Sequence, residues 1–224
     1  ERFVDYVADR ADEDFTTVAM RFVRHTFRDH QRILFDGNGY SEEWEAEAAR
    51  RGLPNLKTTP DALPALVKPE NIKFFEKYGV LSETEVHARY VAKAEQYAKL
   101  LNIEANTMVY MTRHMYLPAL FDYSGDIATS VATKAELGID AKAEKKMVNV
   151  LTDGINAISD AVDDLEAKNA QAKGLEDPQA ADDCYRDVVI PAMTALRTAV
   201  DDMEKVCGHD YWPVPSYNKM LFYV

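Results

Sequence analysis

Asp36, Gly37, Asn38 and Gly39 are the first residues along the chain whose types suggest chemistry. Two glycines around an asparagine can form a loop whose backbone N–H groups cradle a phosphate. A dinucleotide fingerprint, however, needs a third glycine after a strand, and a P-loop needs Gly-Lys-Ser/Thr. Neither pattern is present, and Asp36 would repel a phosphate. The stretch therefore predicts a chain reversal built from residues that tolerate positive φ. A carboxylate-rich helical chain also invites a di-metal centre, which needs Glu-x-x-His on two helices. Neither His87 nor His114 has a Glu three residues earlier. Glu83 and His87, at i and i+4, make an ordinary helix-surface pair, and His25 and His30 are five apart. No Ser or Cys lies in a nucleophile elbow. On these grounds no catalytic, cofactor-binding or metal-ligating residue is assigned.

The remaining candidates suit contact rather than catalysis. Arg21, Arg24, Arg28 and Arg32 fall on one side of a helical stretch and make the one concentrated positive surface of an acidic chain. Such a stripe can dock an anion or an acidic neighbour, or be a solvated face paired with its own carboxylates. The closing "HDYWPVPSYNKMLFYV" carries Tyr211, Trp212, Tyr217 and Phe222, which can strap along the fold or meet a partner.

The elements that must position these residues are helical. The 224 residues are 47% hydrophobic, with only nine glycines and nine prolines. That composition supports a large core without disulfides or metal. A formal charge of −12 argues against a nucleic-acid surface. No apolar run is long enough to span a bilayer and no signal peptide is visible, so a cytoplasmic location is expected. Cys184 and Cys207, read as lying in one helix, would be roughly 35 Å apart at 1.5 Å per residue and serve as free thiols. The chain opens at Glu1, inside a helical pattern, as an excised piece of a longer protein would.

Apolar residues recur at helical spacing in several stretches. Phe15, Val18, Phe22 and Ile33 share one side of the arginine-bearing helix. Ser41 suits the cap of a short helix that Gly52 ends. Pro54, Pro60, Pro64 and Pro69 predict only short turns between Leu53 and Gly79, with one helical piece at "ENIKFFEKYG". "SETE" is a capping box opening a long helix striped by Val86, Tyr90, Tyr97, Leu101, Met108, Met111 and Met115, with Pro118 as a kink. A second carries Met147, Leu151, Ile155, Ile158, Val162 and Leu165 up to Gly174. A third starts at Asp177-Pro178 and carries Val189, Met193, Leu196, Val200, Met203 and Cys207. "MYLPAL" and "VVIPAM" place matching prolines in the first and third. The expectation is an all-α fold: a kinked antiparallel bundle of three long helices, with shorter helices and an aromatic C-terminal tail. It is read as one domain over 1–224, with short helices and Pro-rich connections over 1–81, the long-helix bundle over 82–208 and an extended tail over 209–224.

Longer strings carry a resemblance. "RILFDGNGYSEEWEAEAARRGLPNLKTTPDALPALV", "FFEKYGVLSETEVHARY", "LNIEANTMVYM", "RDVVIPAM" and "YWPVPSYNKMLF" stand in an order and spacing similar to the C-terminal region of type III glutamine synthetases, the large bacterial branch. The resemblance implies a parent enzyme that joins ammonia to glutamate with ATP and magnesium or manganese, assembled as stacked hexameric rings. It also implies that the ligands for metal, nucleotide and glutamate lie in a β-rich catalytic region upstream, with no matching strings here. The expected role is then a C-terminal non-catalytic domain, supporting oligomer assembly or regulation and contacting the parent's catalytic domain and neighbouring subunits of a homo-oligomer. The alternative is a helical bundle that senses a small metabolite near Pro118 and Pro191, or binds another protein, with no part in synthetase chemistry.

Overall fold

The computed structural model describes residues 2–215 and 217–222. Among the described residues every regular element is helical. The chain divides into two compact units, one ending at Lys57 and the other beginning at Thr58.

The first unit holds α1 (Arg2–Ala8), α2 (Phe15–Asp29), a 3₁₀ turn (Gln31–Ile33) and α3 (Glu42–Arg50). Asp14 opens α2 by accepting the Thr17 N–H, which satisfies a donor that lacks an intrahelical partner. Phe3 and Tyr6 of α1 meet Phe22 edge-on at 5.1 and 5.3 Å. Phe35 stacks on Trp44 at 4.2 Å. Gly37 and Gly39 do not occupy the left-handed region, as the reversal was expected to require; positive φ occurs instead at Gly52, Gly79 and Gly138. A Cβ at Gly37 would lie 2.7 Å from the Phe35 ring, so this glycine makes room for an aromatic side chain. The turn itself comes from Asn38, whose side chain accepts the Tyr40 N–H at 3.0 Å. Ser41 then caps α3 through the Trp44 N–H, and Gly52, at φ 69°, ends it.

The second unit begins with α4 (Thr59–Leu66) and α5 (Pro69–Lys77). α4 corrects the expectation of mere turns in this proline-rich stretch. Thr58 caps it, and Pro60 occupies the first turn, where no N–H is needed. Pro64 leaves the Pro60 carbonyl without its usual intrahelical donor, and Gln179 Nε2 supplies one at 3.1 Å.

Three rods follow. The first is α6 (Glu83–Met111), a π turn (Thr112–Tyr116) and α7 (Leu117–Glu136); the second is α8 (Lys142–Lys173). The third is α9 (Pro178–Cys184), a π turn (Tyr185–Val189) and α10 (Ile190–Glu204). The Ser82–Glu85 capping box is present in both directions. Asp177 caps α9 through the Ala180 N–H at 2.7 Å. Each π turn is closed by the residue just before a proline: Leu117 N–H reaches the Thr112 carbonyl, and Ile190 N–H reaches that of Tyr185. Pro118 and Pro191 thus fall where the ladder is already shifted, which eases the clash and lost donor of a proline inside a helix.

The core lies along α8, which contacts α6, α7 and α10. Leu151, Ile158, Val162 and Leu165 of α8 are fully enclosed, with Leu120, Val189 and Leu196 from the flanking rods. Arg113 ties the first rod to α8 through Asp163 and Glu166. α8 and α10 come together at Gly154, where an added Cβ would fall 2.0 Å from Met203 Sδ. Gly154→Leu is expected to cost about 1–3 kcal/mol by forcing this seam apart, measured as a lower urea midpoint with near-native helical circular dichroism. Cys207 falls just beyond α10, and both cysteines are free and half-buried. The tail is irregular through Pro215 but turns helical again at α11 (Tyr217–Leu221), so it is extended over less of its length than expected. Neither proline lies inside that helix, so nothing there forbids the turn.

Candidate functional site

The arginine stripe occupies an exposed flank of α2. Arg21 forms a two-pronged ion pair with Glu13, at 2.9 and 3.3 Å. Arg28 is 3.6 Å from Asp29, whereas the Arg24 and Arg32 side chains have no ion-pair partner among the described residues. Sequence reasoning missed what lies beside them. Met20, Val23 and Phe27 are 68%, 46% and 58% exposed. At 100° per residue these three adjoin Arg24 and Arg28, making a mixed apolar and basic face. The spacing was legible, but Phe15 and Ile33 were grouped with Val18 and Phe22 as one side. Only Val18 of those four is fully buried, and Phe15 and Ile33 are exposed.

The aromatic tail divides. Trp212 is half-buried and stacks on Tyr116 at 5.1 Å. Tyr211 donates its hydroxyl to Asp126 and lies against Tyr123. Phe222 is 74% exposed, and the Tyr217 side chain lies outside the described residues. A cavity of about 360 Å³ runs between Thr112, Tyr116, Leu196 and Trp212, and neither Pro118 nor Pro191 lines it. Its lining is chiefly apolar side chains and the covering tail.

A different polar centre lies in the last turn of α9, and no sequence motif marks it. Asp182 is fully enclosed, and neither of its carboxylate oxygens has a hydrogen-bond partner in the structure. Burial, followed by the nearby Asp183 charge, pushes its pKa up to about 6. Burial likewise raises those of Tyr90 and Tyr97, and Asp182 itself adds to the effect. Beside it, Asn169 donates to Asn102 Oδ1 at 3.1 Å and to Asn106 Oδ1 at 3.2 Å, joining α8 to α6. Arg186 is taken up by Asp61 at 2.8 Å, Asp183 at 3.0 Å and Asp187 at 2.7 Å. The available signal for Asp182 was its position: it stands three residues before the enclosed Tyr185 on one helical stripe.

Among the described residues no group of three or more His, Cys, Asp or Glu side chains is placed to hold a metal ion. Likewise, no described helix is long and apolar enough to cross a membrane. His87 and His114 are exposed on the first rod.

Comparison with known proteins adds the family. The family model described as "Glutamine synthetase C-terminal domain" matches residues 19–135, just over half of the chain. A glutamine synthetase of Butyrivibrio fibrisolvens is 32% identical over 202 residues, covering 89% of this chain and 29% of that protein. A type-3 glutamine synthetase of Dictyostelium discoideum is 30% identical over 212 residues, covering 92% and 29%. One from Bacteroides fragilis is 25% identical over 208 residues, covering 90% and 28%. The chain thus spans less than a third of the length of these relatives. From an all-helical fold and a match that crosses both units, the conclusion is that this chain belongs to the glutamine synthetase C-terminal domain family.

Proposed function

We propose that the chain is the helical, non-catalytic C-terminal part of an ATP-dependent glutamate–ammonia ligase. Its role is to support assembly or control of the parent enzyme. Metal and nucleotide are handled elsewhere in that parent, in the cytoplasm, and the partners are its catalytic region and neighbouring subunits. The observation that carries this reading is the α2 face. Met20, Val23 and Phe27 are left in water beside an unpaired Arg24, in a chain whose relatives are more than three times as long. Contiguous apolar side chains with adjacent arginine suit a protein contact. The exposed Phe222 and its neighbours on the tail are a second, smaller candidate surface.

Reversing charge on this face tests the role. In the full-length parent, Arg24→Glu with Arg28→Glu is expected to lower the assembled fraction at least tenfold, read by sedimentation velocity. Ligase activity should be followed alongside. Unchanged assembly and activity would remove α2 from the contact.

A further inference from the structure

The chain reversal before α3 holds a reactive pair that the assembly role does not use. Asn38 is followed by Gly39, and no other asparagine in the chain precedes a glycine. Both residues are exposed. The Tyr40 N–H donates to Asn38 Oδ1 at 3.0 Å. This bond folds the side-chain amide back along the main chain and fixes which of its ends is oxygen. It brings the amide carbon, Cγ, alongside the Gly39 nitrogen, where one new bond would close a five-membered ring.

Both reacting groups are free to move. Among the described residues the Gly39 N–H has no hydrogen-bond partner, and the Asn38 Nδ2 donates to none. Gly39 adds no side chain to obstruct the approach, and nothing lies within 4 Å of where a Cβ would stand. By contrast, Asn102 and Asn106 lie inside α6, and Asn149 and Asn156 inside α8. There the next N–H is held by the helical ladder.

We propose that Asn38 is a self-modification site, which converts through a cyclic imide to aspartate and isoaspartate. The Gly39 nitrogen gives its proton to a solvent base and bonds to Asn38 Cγ. Charge collects on Oδ1, where the Tyr40 N–H already points. The Cγ–Nδ2 bond then breaks, and Nδ2 takes a proton from water and leaves as ammonia. Water reopens the ring. Attack at Cγ breaks its bond to the Gly39 nitrogen and gives aspartate. Attack at the main-chain carbonyl carbon breaks that carbon's bond to the same nitrogen and leaves the chain running through Cβ and Cγ, as isoaspartate. One water enters and one ammonia departs, with no oxidant or reductant.

The consequence falls on α3. The Asn38 carbonyl accepts the Ser41 N–H at 3.1 Å and the Ser41 hydroxyl at 2.9 Å, and Ser41 caps that helix. Isoaspartate moves this carbonyl off the main chain as a carboxylate and lengthens the chain by one carbon, which displaces the cap. Either product adds a negative charge two residues from Asp36.

The test is to hold the 224-residue chain at pH 7.4 and 37 °C for four weeks and sample it by tryptic mass spectrometry. Peptide 33–50, in which Asn38 is the sole asparagine, is expected to gain the mass of an amide-to-acid exchange. The product should separate by chromatography into aspartate and isoaspartate forms, with one ammonia released per chain converted. A synthetic peptide 33–50 gives the reference rate, which the folded chain should match or exceed because the ring-closing atoms are already adjacent. Gly39→Val puts a branched side chain on the attacking residue in open space, and is expected to slow the reaction at least about tenfold with circular dichroism unchanged. The proposal is overturned by no mass gain in four weeks, by aspartate without isoaspartate, by a folded chain slower than the free peptide, or by an unchanged rate in Gly39→Val.

Discussion

Truncating Ile158 to alanine is expected to lower the unfolding free energy by about 2–5 kcal/mol. Ile158 is fully enclosed at the middle of α8, the helix that both outer rods contact. The lost methyl and methylene groups remove transfer energy, and the rods on either side resist collapse into the space. A domain's net stability is itself only about 5–15 kcal/mol, so this one change can consume much of it. Val150→Ala, on a more exposed part of the same helix, serves as the control and should cost about 0.5 kcal/mol or less. Urea denaturation with an unchanged slope checks both. Equal losses in the two variants would show that α8 is not the centre of the core.

Asp182→Asn is expected to act in the opposite sense, and only at neutral to alkaline pH. The folded carboxyl titrates near 6 and the ordinary value is 3.8. Folding therefore takes up a proton between those values. The neutral form's advantage is complete below about pH 4 and is lost as pH rises through 6. Above that range the ionised group costs the fold on the order of 3 kcal/mol, at about 1.4 kcal/mol per pKa unit. Removing the charge should recover most of that at pH 8 and change little at pH 4. Denaturation of parent and variant at the two pH values decides it, and a difference independent of pH would defeat the account.

The contrast between these two residues shows what the sequence could disclose. Ile158 announced itself through its spacing from Leu151, Ile155, Val162 and Leu165. The caps at Ser41, Ser82 and Asp177 were equally plain, because a local side chain answers a local backbone donor. Three features were not local. α4 survives its prolines because Gln179, far along the chain, serves the Pro60 carbonyl. Along the first rod Val86 of the expected stripe is fully buried, but so are Ala94, Ala105 and Thr112, while Tyr97, Leu101 and Met108 are half-buried. Small residues mark closest approach, and a search for large apolar ones passes over them. Asp182 reads as surface by type, and only packing makes it otherwise. On α2 the arginines were visible, but the exposure of Met20, Val23 and Phe27 depends on what does not cover them.

The π turn at Thr112–Tyr116 bears on how the first rod keeps its phase. Thr112 and Leu117 are both buried although five positions separate them, a spacing that an ordinary helix places on different sides. The wide turn absorbs the odd residue, so the seam against α8 runs on through Leu117 and Leu120. Shortening the chain there by a single codon would leave a regular spiral and swing everything after it by about 100°. The bulge is thus a phase-keeper: its five residues set the angular alignment of all of α7, and length at this point is held as tightly as residue type.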